Sequence, residues 1–156
     1  MTDAMNVDAL YQEIILDHYK HPRGRALLPD PAGESYQVNP TCGDEVTVQV
    51  SLDGDGNLVV GYEGQGCSIS QASASVMSEM VVGTAPAHAD EVRRAFLELM
   101  HSKGEAEPDE DVLGDGVAFV GVAKYPARIK CALLPWMALQ DAEAKAGIGT
   151  DQEGSD

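Results

Sequence analysis

Basic residues are scarce in this chain of 156 amino acids. Lysine and arginine together number 10 against 26 aspartates and glutamates, which gives a formal net charge of −16 at pH 7. A field of that sign repels the phosphate backbone, so we expect no binding to nucleic acid. With 44% hydrophobic and 23% charged residues, the composition is otherwise that of a globular protein.

Long apolar runs are also missing. The longest, residues 131–139, has nine residues, about half of the ~18 that suggest a membrane span. The N-terminal residues do not combine a positive segment with an apolar stretch, so no secretory signal is visible. We therefore expect a cytoplasmic protein that does not bind membranes.

Cysteines number only three, an odd count that is too small for a disulfide framework. In a reducing cytoplasm they would be thiols. Their number alone leaves open whether they are buried filler, metal ligands or reactive groups.

The length is that of one ordinary domain. We predict a single domain over residues 1–147. Two strongly acidic stretches are expected to lie outside its core. Residues 102–116 are predicted to be an exposed inserted loop, and residues 148–156 a flexible acidic tail.

Hydrophobic periodicity predicts an α+β fold, in which helices pack on a small antiparallel sheet of about three strands. The predicted helices cover residues 7–19, 68–81 and 90–101 and a last segment from about 131; the predicted strands cover 35–39, 46–52 and 58–63. Ser68 with Gln71 has the spacing of a capping box. Pro135 would clash with the carbonyl of Cys131 deep inside a helix, so the last helix is predicted to begin near Cys131.

Three other patterns have ordinary structural explanations. Residues 53–57 begin like a calcium loop, but the glycine and glutamate that such a loop needs are missing. The glycines at 61, 64 and 66 match no standard phosphate-binding spacing. His18 and His21 are interpreted as cations at the end of the first helix rather than as metal ligands.

The cysteines have a more informative setting. Cys42 lies in a turn two residues before Asp44, Cys67 precedes a helix, and Cys131 follows two basic residues. Helix N-termini and nearby cations favour the thiolate, the form that binds metals and attacks sulfur. Three thiolates and Asp44 would make a tetrahedral set suited to Zn²⁺. The spacing contains no Cys-x-x-Cys pair, so it favours this site no more than burial as small hydrophobic residues.

Arg128 and Lys130 stand just before Cys131. Because Zn²⁺ with three thiolates and one carboxylate would carry a net negative charge, a buried site of this kind needs nearby donors and cations. Arg128 and Lys130 are the candidates.

Four segments of the chain form an ordered set of motifs. They are Tyr11 with Ile15-x-Asp17-His18-Tyr19-x-x-Pro22-Arg23, then Asn39-Pro40-x-Cys42-Gly43-Asp44, then Gly64-x-Gly66-Cys67-Ser68-Ile69-Ser70-x-Ala72-Ser73, and finally Arg128-Ile129-Lys130-Cys131-Ala132. Over roughly residues 7–145 the chain thereby resembles the IscU/SufU-like family of iron–sulfur cluster biogenesis proteins. The classical scaffold branch has a histidine where this chain has Lys130. That difference and the acidic insertion favour the SufU-type branch.

This resemblance implies a zinc-dependent sulfurtransferase, which accepts persulfide sulfur from a SufS-type cysteine desulfurase and relays it to a downstream iron–sulfur assembly scaffold. It implies four zinc ligands: Cys42, Asp44, Cys67 and Cys131. Cys42 would also be the sulfur acceptor, with Arg128 stabilising its thiolate. Two alternatives remain open: a scaffold on which a transient [2Fe–2S] cluster is assembled by the same ligands, and a purely structural zinc site.

Overall fold

The structure, a computed structural model, describes residues 2–41, 43–105 and 107–148, with the backbone alone for residues 2–8. In chain order the elements are α1 (Thr2–Lys20), β1 (Gly33–Asn39), β2 (Asp44–Leu52), β3 (Leu58–Gln65), α2 (Ser68–Val81), α3 (Pro86–Met100), α4 (Glu110–Leu113), a 3₁₀ helix (Gly114–Lys124) and α5 (Pro126–Lys145). Cys42, the predicted sulfur acceptor, lies outside the described residues. So do residues 149–156, most of the predicted tail.

The three strands form one antiparallel sheet in the order β1-β2-β3. Alternate valines of β2 are buried, as the two-residue period of a strand requires: Val46, Val48 and Val50. The β2–β3 hairpin closes through Asp53, whose Oδ1 accepts the N–H groups of Asp55 (2.8 Å) and Asn57 (3.0 Å). The predicted α+β class with a three-stranded antiparallel sheet is confirmed.

An aromatic cluster fixes the helices relative to one another. The ring of Trp136 in α5 stacks on Phe96 of α3 at 4.8 Å between centroids, and Phe119 of the 3₁₀ helix meets Phe96 edge-on at 5.6 Å. Trp136 Nε1 donates to Ser73 Oγ of α2 (3.0 Å), and that hydroxyl donates to the carbonyl of Ala132 (2.6 Å). These contacts set the position of α5, the helix that carries Cys131.

Helix α5 begins at Pro126, so the prediction that it begins near Cys131 is wrong. Proline is well suited to the first position of a helix, because its missing N–H would be unpaired there in any case. Pro135 lies inside the helix, at a cost of about 3 kcal/mol. Full burial of Trp136 and Leu139, at about 2 to 3 kcal/mol each, outweighs that cost. Cys131 therefore lies in the second turn, where the dipole of the helix N-terminus does not act on its thiol.

The segment predicted to be an exposed acidic loop, residues 102–116, is only partly a loop. Asp109 Oδ1 accepts the N–H of Asp111 (3.0 Å) and caps the short helix α4. Leu113 is buried in the core. The predicted tail also begins too early, since the side chain of Ile148 is buried and its N–H donates to the carbonyl of Glu143 (3.0 Å).

The predicted capping box at Ser68 is also wrong. Cys67 occupies the N-cap position of α2, Ser68 is the first helical residue, and the Cys67 side chain makes no capping hydrogen bond. The N–H of Cys67 donates instead to Asp44 Oδ1 (2.8 Å). A carboxylate from β2 thus accepts the N–H of the N-cap residue, the contact that the capping box assigned to the Gln71 side chain.

Candidate metal centre

Three of the four predicted metal ligands meet at one end of the sheet. Asp44 begins β2, Cys67 stands between β3 and α2, and Cys131 lies in the second turn of α5. One ligand atom from each lies within 4.8 Å of the other two. The strand register explains the first pair, because Glu45 pairs with Gln65 and so brings the end of β3 beside Asp44.

The Asp44 carboxylate is oriented by the backbone. Its side chain is buried, and Oδ1 accepts the N–H of Cys67 at 2.8 Å. Oδ2 lies 3.8 Å from the Cys67 sulfur. Gly66 has a φ of 144°, and a Cβ there would come within 2.2 Å of Asp44 Oδ1. Only glycine therefore allows the chain to pass this close to the carboxylate.

Polar groups contact both described sulfurs. The buried Asn39 donates from Nδ2 to the Cys131 sulfur (3.8 Å). The Cys67 thiol donates to Ser70 Oγ (4.0 Å), and the Ser70 hydroxyl donates to the Cys67 carbonyl (3.1 Å). An amide donor such as that of Asn39 stabilises negative charge on sulfur. Cys131 is fully buried and Cys67 partly buried. The site therefore has one protected sulfur and one that is more accessible.

The arrangement fits a tetrahedral zinc ion. Around such an ion, with Zn–S bonds of about 2.3 Å, neighbouring ligand atoms lie about 3.5 to 3.8 Å apart. The distance of 3.8 Å between Cys67 Sγ and Asp44 Oδ2 matches this spacing. Sulfur and carboxylate oxygen are also ligands that Zn²⁺ accepts together. The fourth predicted ligand, Cys42, lies outside the described residues, and its coordination stays a prediction.

The two basic residues predicted to compensate the charge of the site lie in the first two turns of α5, and that role stays a prediction. Arg128 and Lys130 are exposed. Arg128 lines an open groove of about 610 Å³ with Tyr11, Ile69 and Tyr125, among others. Among the described donors to the site are the Cys67 backbone N–H and the side-chain amide of Asn39.

Two contributors to this site are missing from the sequence prediction. Asn39 and Gly66 both belong to the quoted motifs, but neither was assigned a role at the site. The contact of Asn39 with Cys131 is long-range and has no local signal. The close approach of Gly66 to Asp44 depends on the pairing of β2 with β3.

The predicted role of His18 also changes. His21 is exposed, whereas His18 is completely buried and its Nε2 lies 2.8 Å from Asp115 Oδ2. His18 is therefore more than a solvated cation at a helix end. Among the described residues it forms a second group with Glu79 and Asp115, in which the three potential ligand atoms lie within 4.8 Å of one another.

In the described part of the chain, no helix combines the length and the apolarity needed to cross a membrane.

Comparison with known proteins identifies close relatives. The zinc-dependent sulfurtransferase SufU of Bacillus subtilis (strain 168) is 44% identical over 141 residues, which cover 90% of this chain and 93% of that protein. The iron–sulfur cluster assembly scaffold protein IscU of Streptococcus pyogenes serotype M1 is 37% identical over 147 residues, with coverages of 92% and 90%.

Solved structures and family models agree with these relatives. The crystal structure of a nitrogen-fixing NifU-like protein (N-terminal) from Brucella abortus superimposes with a TM-score of 0.77 at 26% identity, covering 90% of this chain and 96% of that one. The family model of the NifU-like N terminal domain matches residues 10–132. The resemblance that the motifs carry is thereby confirmed, and the chain belongs to the IscU/SufU-like family with the NifU-like N terminal domain.

Proposed function

We propose that this protein is a zinc-dependent sulfurtransferase, which accepts persulfide sulfur from a SufS-type cysteine desulfurase and relays it for iron–sulfur cluster assembly. The convergence of Asp44, Cys67 and Cys131 at one end of the sheet carries the proposal. The 44% identity to a zinc-dependent sulfurtransferase over nearly the whole chain supports it. The proposal places the protein in the cytoplasm, where thiols stay reduced.

In this proposal, Cys42, Asp44, Cys67 and Cys131 hold the zinc. Bound zinc would keep its cysteine ligands in the thiolate form at neutral pH. Asp44 is held in place by the N–H of Cys67, and Asn39 donates to the Cys131 sulfur. These contacts order the three described ligands before any metal binds. Such pre-ordering favours tight binding, because less conformational entropy is lost.

The chemical step belongs to Cys42. Its thiolate attacks the terminal sulfur of the persulfide on the desulfurase. The sulfur–sulfur bond of the donor breaks, its cysteine leaves as a thiolate, and Cys42 becomes the persulfide. No oxidant or reductant is consumed, since one sulfur–sulfur bond replaces another.

Cys42 is the preferred acceptor because of its place in the chain. The residues on either side, Thr41 and Gly43, are both exposed, whereas Cys131 is completely buried. Attack on a second protein requires access as well as a thiolate. Arg128, exposed in the first turn of α5, is proposed to stabilise the Cys42 thiolate and would act from the surface that meets the desulfurase.

Native mass spectrometry tests the proposal directly. Zinc-loaded protein is incubated with a SufS-type desulfurase and cysteine, and its mass is measured before and after. We expect one zinc per chain and a gain of one sulfur atom, absent in Cys42→Ala and retained in the matched control Thr41→Ala. Arg128→Ala should keep its zinc and gain sulfur more slowly.

Two outcomes would contradict this assignment. If the protein binds zinc but gains no sulfur, the metal site is purely structural and the sulfurtransferase proposal is wrong. Sulfur gain at the normal rate in Cys42→Ala would exclude Cys42 as the acceptor.

A second candidate function is a scaffold on which a transient [2Fe–2S] cluster is assembled. It is favoured by the 37% identity to an assembly scaffold over most of the chain, and by a ligand set whose thiolates suit iron–sulfur clusters as well as zinc. Anaerobic reconstitution with iron and sulfide separates the two functions. A cluster that forms on the wild type and transfers intact to an apo-ferredoxin would support the scaffold, whereas stimulation of desulfurase turnover by the zinc form alone supports the sulfurtransferase.

A further inference from the structure

A second group of potential metal ligands lies where α1, α2 and the 3₁₀ helix meet. His18 of α1 is completely buried. Its Nε2 lies 2.8 Å from Asp115 Oδ2 in the 3₁₀ helix and 3.5 Å from Glu79 Oε1 in α2. In the described part of the chain, the salt bridges of both carboxylates are with His18 alone. Two carboxylates therefore face one imidazole, and the Arg23 guanidinium is near enough to interact electrostatically with both.

The other ring nitrogen of His18 has a partner of its own. Nδ1 lies 2.7 Å from Ser75 Oγ, and the same oxygen accepts the N–H of Arg23 at 2.8 Å. When Nδ1 carries the proton and donates it to Ser75, Nε2 presents a lone pair toward the two carboxylates. Histidines that bind metals usually have their second nitrogen fixed by a hydrogen bond in this way.

The distances suit an octahedral ion. With metal–ligand bonds of about 2.1 Å, adjacent ligand atoms in an octahedron lie about 3.0 Å apart. The two measured separations, 2.8 and 3.5 Å, bracket that value. Both carboxylate side chains are about 40% exposed, at 43% for Glu79 and 42% for Asp115. Water can therefore reach the side of the group that faces away from His18 and complete the shell.

We propose that His18, Glu79 and Asp115 form a second cation site, separate from the thiolate centre. The site takes a divalent ion that prefers nitrogen and oxygen ligands, such as Mn²⁺ or Fe²⁺, with three protein ligands and water in the remaining positions. A divalent ion neutralises the two carboxylates and leaves His18 neutral. Bound there, it joins the C-terminal end of α1 to α2 and to the 3₁₀ helix. The proposal does not rest on the sulfur-transfer function.

Mn²⁺ is the probe of choice, because it prefers nitrogen and oxygen ligands over thiolates. Protein loaded with one equivalent of zinc is titrated with Mn²⁺ at near-physiological salt, and the signal of free Mn²⁺ is followed by electron paramagnetic resonance. We expect one Mn²⁺ per chain. Asp115→Asn and Glu79→Gln should each weaken binding at least tenfold, while the surface control Glu91→Gln leaves it unchanged.

The location of the ion is tested in the same samples by nuclear magnetic resonance. Bound Mn²⁺ should broaden the amide signals around His18 and Ser75 first. Both variants change half-exposed side chains, so we expect them to keep their circular dichroism spectra and their zinc. Absence of Mn²⁺ uptake by the wild type, uptake by both variants equal to that of the wild type, or broadening spread over the whole acidic surface would overturn the proposal. The zinc content of each sample shows independently whether the thiolate centre is intact.

Discussion

At the scale of single residues, the ligand arrangement depends on positions that bind no metal themselves. Gly66 is the clearest case, because a Cβ there would lie 2.2 Å from Asp44 Oδ1 and the φ of 144° disfavours any other residue. Gly66→Ala should therefore displace Asp44 and weaken zinc binding at least tenfold. Competition with a chromophoric chelator measures this. Gly54→Ala is the control, since a Cβ added at that position would have no atom within 4 Å.

Asn39 makes a second prediction at this scale. Its Nδ2 donates to the Cys131 sulfur, and partners that orient or stabilise metal ligands typically contribute about 10 to 100-fold to affinity. Asn39→Asp replaces the donor with a carboxylate, so the affinity for zinc should fall by at least about 10-fold. Asn57→Asp in the β2–β3 turn adds the same charge away from the site. Equal losses in the two variants would show that net charge, not the contact, is responsible.

At the scale of elements, the hydrogen bonds between α2 and α5 hold Cys131 in place. Ser73 Oγ accepts from Trp136 Nε1 and donates to the carbonyl of Ala132. Ser73→Ala leaves the buried indole N–H without a partner and should lower the free energy of unfolding by about 2 kcal/mol. Ser68→Ala should change it by only a few tenths of a kcal/mol, because Ser68 does not cap α2. Urea unfolding of both variants checks this, and a larger loss in Ser68→Ala would restore the capping box.

The elements also show how far the sequence could be interpreted. Strand periodicity predicted the sheet, because the two-residue alternation is a local signal. The beginning of α5 was missed because Pro135 was taken as a boundary, whereas burial of Trp136 compensates for the broken hydrogen bond. The cap of α2 was missed because it comes from Asp44.

At the candidate site, too, the sequence predicted what depends on local motifs and missed what depends on long-range contacts. Motifs brought out Asp44, Cys67 and Cys131 as a set, and the structure brings them together. The contacts of Asn39 and His18 depend on partners far along the chain: Cys131 and Asp115. No local pattern contains such information.

At the scale of the whole molecule, a buried carboxyl group makes stability depend on pH. Glu143 of α5 is 3% exposed, and its Oε2 has no hydrogen-bond partner among the described residues. Burial raises the pKa of Glu143 from 4.5 to about 7. Two residues of α3 modify this effect: Arg93 lowers the pKa, and Asp90 raises it by a smaller amount. The folded protein therefore keeps this proton over a pH range in which the unfolded chain has lost it.

The sign of the effect follows from that difference. As the pH rises from about 4.5 to about 7, the free energy of unfolding should fall by about 3 kcal/mol on account of Glu143. The glutamine in Glu143→Gln stays neutral at every pH. The variant should therefore be as stable as the wild type near pH 4.5, and above about pH 7 its free energy of unfolding should be higher by up to about 3 kcal/mol. Urea unfolding across this range measures the difference. The exposed Glu98→Gln should behave like the wild type, and parallel curves for wild type and Glu143→Gln would contradict the assignment.

We propose that the domain expected over residues 1–147 extends to the buried Ile148 and has the thiolate centre as its functional site. Zinc K-edge X-ray absorption of the purified protein tests that centre most directly. The account predicts three sulfur neighbours at about 2.3 Å and one oxygen neighbour, with one sulfur lost in Cys67→Ser. A shell made only of nitrogen and oxygen, or one that Cys67→Ser leaves unchanged, would contradict the assignment of Asp44 and the three cysteines as the zinc ligands.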